Sequence, residues 1–238
     1  MKRLSIPLLA LLCTTASAEE PKAKVLKEDA AATKLLADAR AARAEWVDFP
    51  GFRADLEVNI DGRVTRGTAL VSQTGVVAVK LEGDDEVKIW AKRQLSSLVG
   101  HRLSDGPGGA ATPCAFPDDN TDHPLGRAVQ VLNDEFHSSY RIHDRQVIVV
   151  NRTGRDTRFT ITVMENRLNE EKKFLPVSYV VNTWDAKTDA LRSSDTFHQT
   201  WNRVGRFDLP DTLALVTATQ GKLEARSLRL SNHKLLEK

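Results

Sequence analysis

From Phe52 onward the chain alternates. Phe52, Ala54, Leu56, Val58 and Ile60 are apolar, and Arg53, Asp55, Glu57 and Asn59 between them are polar or charged. A period of two is the repeat of a strand with one face in a core and the other in water. Asp61-Gly62 follows, a two-residue hairpin signal. The pattern predicts a return strand over 63–72, a turn at Thr74-Gly75 and a third strand over 76–81, an antiparallel meander. Further strands are predicted over 127–132, 138–143, 146–151, 155–165, 175–184, 194–204, 213–220 and 223–231. Within 155–165, Phe159, Ile161 and Val163 share one face, and Arg158, Thr160 and Thr162 share the other.

Two segments keep helical spacing instead. Residues 27–46 are rich in Ala, free of Gly and Pro, acidic near the start and basic toward the end. Residues 84–99 carry Val87, Trp90, Ala91, Leu95 and Leu98 as one stripe behind an acidic start. Between the second helix and the later strands, residues 103–126 hold a run of Gly and Pro and read as a long loop, a lid or rim. The expected fold is α+β. It is a strongly curved antiparallel sheet, a half-barrel of roughly ten strands, wrapped around two main helices that cover its apolar face.

The first eighteen residues stand apart from that pattern. Lys2 and Arg3 precede an apolar run from Leu4 to Leu12, and Ala16-Ser17-Ala18 is a small-x-small cleavage site. That order predicts a secretory signal peptide over 1–18 and an exported protein, periplasmic or extracellular, without a membrane span after cleavage. A flexible start over 19–26 and one domain over 27–238 follow. Cys13 has Leu12 rather than a small residue before it. A soluble mature chain is therefore expected over a lipidated one. Cys114 is then alone, and no internal disulfide can form.

Charge narrows the partners. Loss of Lys2 and Arg3 leaves 32 basic and 32 acidic residues, so the mature chain lacks the basic surplus that phosphate backbones require. No nucleic-acid partner is expected. No nucleophile elbow or phosphate loop is present, and no cofactor is implied. Asp122 and His123 in the long loop, with His101, form an alternative metal set for a hydrolase, although loop acids are far more often simply solvated. Trp90, Tyr140, Tyr179, Trp184 and Trp201 are candidates to line a cavity for an apolar ligand, each of them also an ordinary core residue taken singly.

The helix 30–46, the run Phe49-Pro50-Gly51-Phe52-Arg53-Ala54-Asp55 and the Asp61-Gly62 hairpin with its return through Gly67 resemble the periplasmic lipoprotein-carrier (Lol) family and its outer-membrane receptor relatives. So do Phe174-Leu175-Pro176-Val177-Ser178-Tyr179 and Phe207-Asp208-Leu209-Pro210. Residues 46–67, His101-Arg102, 140–152 and Ser231-Asn232-His233-Lys234-Leu235 look closer still to an uncharacterised family of exported bacterial proteins with a domain of unknown function. The resemblance implies a half-barrel and an apolar cavity, and it implies no chemistry. Three functions follow. The first is binding of a lipid, another hydrophobic molecule or an envelope partner in the concave face. The others are a metal-assisted hydrolase and a structural or sensory envelope domain.

Overall fold

The structure, a computed structural model, describes residues 25–103 and 112–237. The predicted signal peptide, the first residues of the predicted flexible start, Cys13 and part of the predicted long loop lie outside the described residues.

Among the described residues twelve strands form one antiparallel sheet. They are β1 (Phe52–Ile60), β2 (Arg63–Val71), β3 (Val77–Leu81), β4 (Cys114–Ala115), β5 (Arg127–Val131), β6 (Ser139–His143), β7 (Gln146–Thr153), β8 (Thr157–Leu168), β9 (Phe174–Asp185), β10 (Leu191–Val204), β11 (Phe207–Thr219) and β12 (Lys222–Leu235). Helix α1 (Ala30–Ala41) precedes β1, and α2 (Asp85–Gly100) lies between β3 and β4. The sheet order is β3-β2-β1-β12-β11-β10-β9-β8-β7-β6-β5-β4. Each strand pairs with its sequence neighbour except where β1 joins β12 and where α2 separates β3 from β4. The two end strands are not paired with each other, so the sheet is open.

Twelve strands correct the expected ten or so. The added pieces are short or irregular. Strand β4 is two residues inside the Gly/Pro-rich loop, held by Cys114 opposite Val131 and Ala115 opposite Gln130. Strand β11 begins at Phe207 rather than at 213. Pro210 lies where β10 and β11 slip register between Thr200 and Trp201, a bulge of the kind that admits proline.

The first helix is shorter than its composition suggests. Asp29 starts it by accepting from the amides of Ala31 and Ala32 at 2.8 and 3.2 Å. It stops at Ala41 because distant partners take the following residues: Arg43 bridges to Phe174 of β9, and Trp46 bridges to Leu103 just after α2. Trp46 Nε1 donates to the Asp208 carbonyl at 3.1 Å, and its ring stacks on Phe49 at 4.5 Å. In α2, Asp84 is the cap and accepts from the Glu86 amide at 2.9 Å.

Both helices pack on one face of the sheet, and that requires curvature. One buried core joins α2 with residues of β1 to β3 and β9 to β12. In a flat sheet β3 and β9 would lie about 29 Å apart, six strand spacings. That is longer than α2 itself, which spans about 24 Å. The sheet must therefore bend around the helix. A second buried cluster joins Leu36 and Ala39 of α1 to Cys114, Val129, Tyr140 and Ile142 of β4 to β6. Among the described residues no helix is long and apolar enough to cross a membrane.

Candidate functional site

Between the two cores the sheet is under-filled. Strand β8 has no fully buried residue, and β9 has one, Leu175. Yet the alternation places apolar side chains on their inner faces. Val163 of β8 lies opposite Tyr179 of β9, and Tyr179 lies opposite Phe197 of β10. This cross-strand row, with Ile161 and Val181 beside it, is only half-covered. Tyr179 and Phe197 stack at 4.6 Å with an interplanar angle of 12°.

The row is the floor of a cavity of about 270 Å³. Strands β7 to β10 supply its sheet side, including Val147, Phe174, Pro176, Gln199 and Trp201. Its helix side comes from Ala39 in α1, from Arg43 just after it, from Leu98 in the last turn of α2, and from His101 and Arg102 just beyond that helix. Arg145, in the turn between β6 and β7, reaches it from the rim. The volume lies just under the usual range for small-molecule sites, about 300–1,000 Å³.

The polar groups of the cavity are unevenly satisfied. Gln199 Nε2 and Trp201 Nε1 both donate to the Pro176 carbonyl, at 2.9 and 2.8 Å, while Gln199 Oε1 is buried without a partner. Arg102 is 4% exposed. Its Nη1 donates to the Ala44 carbonyl at 3.0 Å, its guanidinium lies 5.7 Å from the Trp201 ring centre, and its Nε is buried without a partner. Burial and the neighbouring Arg43 draw the Arg102 pKa down to about 10. Burial pushes the Tyr179 phenol up to about 12, against a smaller opposing pull from Arg102. His101 sits at the open rim. Loss of solvent around its ring, then Arg102, Arg43 and Arg152, hold its pKa below the ordinary value.

Of the five aromatics expected to line a cavity, the structure brings Tyr179 and Trp201 together there. Trp90 and Tyr140 are buried in the two separate cores. Trp184 is on the outer part of β9, where Arg158 stacks on it at 4.8 Å. Sequence reasoning missed Phe197, Gln199, Arg43 and Arg102. A signal existed for Phe197, which alternates with Gln199 and Trp201 along one strand. Arg102 follows a helix end, where a cation reads as a partner for the helix dipole.

The alternative metal set is not gathered. His101 is at the cavity rim, whereas Asp122 is exposed and His123 half-buried in the loop before β5, where His123 Nδ1 accepts from the Leu125 amide at 3.0 Å. Among the described residues no group of three or more His, Cys, Asp and Glu side chains is placed to hold a metal ion. Cys114 is fully buried with its Sγ against the Thr112 carbonyl at 3.2 Å, and burial raises its pKa, the opposite of an activated thiol.

A family model described as a protein of unknown function, DUF3386, matches residues 27–236. No curated protein matches the chain. Among solved structures, the crystal structure of a LolA superfamily protein from Nitrosomonas europaea is similar, with 11% identity and a TM-score of 0.40 over 87% of this chain and 94% of that one.

Proposed function

The chain belongs to the DUF3386 family of unknown function, and we propose that it is an exported binding protein. It holds a lipid or other hydrophobic molecule in the concave face of its half-barrel. One observation carries the reading: the apolar inner row of Val163, Tyr179 and Phe197 is built as core yet lies half-covered over a cavity. An apolar row in a closed core would be sealed by helix side chains, as the rows of β1 and β12 are. Here α1 and α2 leave a gap between them. A ligand that fills it gains about 25 cal/mol for each Å² of apolar surface removed from water, before the costs of association. Export rests on the leader-like order of residues 1–18.

Trp201 makes the reading testable, because both it and Trp90 are buried in the core but only Trp201 also lines the cavity. A brominated alkyl alcohol entering the cavity should quench tryptophan emission in a saturable way, and Trp201→Phe should remove most of that quenching. Linear, non-saturable quenching that is unchanged by Trp201→Phe would contradict the proposal.

A further inference from the structure

We propose that the cavity takes a single-chain amphiphile with an anionic oxyacid head, a carboxylate or a phosphate, and that Arg102 holds that head. The inference rests on the reading of the cavity as a ligand site and names its ligand class.

The charge lining the space is one-sided. Arg43, Arg102 and Arg145 line it, and among the described residues no Asp or Glu does. Arg43 has a carboxylate nearby, but Glu45 stands at 3.6 Å, too far for a good hydrogen bond. Arg145 projects from a turn and is exposed. Arg102 is the informative one. A guanidinium has five N–H donors, and buried donors are normally satisfied. Among the described residues Arg102 makes one hydrogen bond, to the Ala44 carbonyl, its Nε is buried without a partner, and Glu45, the carboxylate that acts on it, makes no hydrogen bond to it. The C-terminal carbonyls of α2 lie just before it and favour a cation, yet they neutralise only part of a full charge.

The rest of the space is apolar. The cations enter from the helix ends and the β6–β7 turn, while Ile161, Val163, Tyr179, Val181 and Phe197 form the opposite wall. A molecule that satisfies both sides has an anionic end and a hydrocarbon body. Arginine matches carboxylate and phosphate oxygens with paired N–H donors. A neutral alcohol would leave the guanidinium short of partners, and a cationic amphiphile would be repelled. A cavity of about 270 Å³ suits one chain better than an anchor with several.

The test is calorimetric titration of the lipid-extracted protein with four probes sharing a twelve-carbon chain, below their micelle concentrations. The probes are dodecanoate, dodecyl phosphate, dodecanol and dodecyltrimethylammonium. Binding of at least one anion ten-fold or more tighter than dodecanol is expected, with the cation weakest, and the tighter anion identifies the head. Arg102→Gln should reduce the anion-to-alcohol ratio below three-fold. Arg43→Gln, at a half-exposed site, should lower it several-fold and serves if Arg102→Gln does not fold. Equal binding of anion and alcohol, or a ratio unchanged in both variants, would overturn the inference and leave the cavity reading standing. No binding of any probe would overturn both.

Discussion

Replacing Arg102 by methionine separates a functional cation from a structural one. The change keeps an unbranched chain of similar reach and removes the charge. Drawing the Arg102 pKa from 12.5 down to about 10 corresponds to about 3 kcal/mol for keeping the cation inside the folded protein. Two contacts offset this. The hydrogen bond from Nη1 to the Ala44 carbonyl contributes about 1.5–3 kcal/mol, as bonds from charged donors do. The placement over the Trp201 ring adds about 1–2 kcal/mol. The opposing contributions nearly cancel, so Arg102→Met should lie within about 1.5 kcal/mol of the parent protein. Urea unfolding of ligand-free protein at pH 7, followed by far-ultraviolet circular dichroism, measures the difference. A loss beyond about 3 kcal/mol, typical of breaking a buried ion pair, would refute the reasoning. Arg102 would then be a satisfied structural residue, and its charge would need no ligand.

Three further outcomes are expected. Val163→Trp should fill the cavity and weaken binding of a twelve-carbon alcohol at least ten-fold in calorimetry; unchanged affinity would move the site elsewhere. Gly67→Ala should destabilise by about 1–3 kcal/mol in urea melts, because its Cβ would meet the Lys80 carbonyl oxygen at 1.8 Å and force β2 from β3. His101 has a folded-state pKa below its unfolded value, so the unfolded chain binds more protons. Its share of stability is therefore present at neutral pH and falls as pH drops below about 6.5; being near the rim the effect is small, and His101→Gln should flatten melting temperature between pH 7 and 5.

Much of the architecture was legible along the chain because one-sided strands announce themselves by period. Strand β1 ends where its alternation ends, at Ile60, and Asp61 and Gly62 both take positive φ, at 47° and 92°, as a tight hairpin turn requires. Failures came where tertiary contacts override local preference. Alanine composition carried the first helix through Trp46, but Arg43 and Trp46 are claimed by bridges to Phe174 and Leu103, partners distant in sequence. The strand predicted from 213 starts at Phe207 instead, where a bulge accommodates Pro210 while its carbonyl accepts from His233 at 2.8 Å. The cavity was legible only in part. Ile161 and Val163 were correctly placed on one face, yet no periodicity tells which apolar face a helix will seal. Trp90 and Trp201 look alike in sequence. Both are buried in the core that holds α2, and only Trp201 also reaches the cavity.

Native mass spectrometry of the protein purified from its own host, beside a denatured control and an organic extract, tests the central claim most directly. A mass excess that disappears on denaturation and is recovered in the extract as a single-chain amphiphile is the predicted result. A native mass equal to the denatured one, with an empty extract and no uptake of added twelve-carbon amphiphiles, would contradict it.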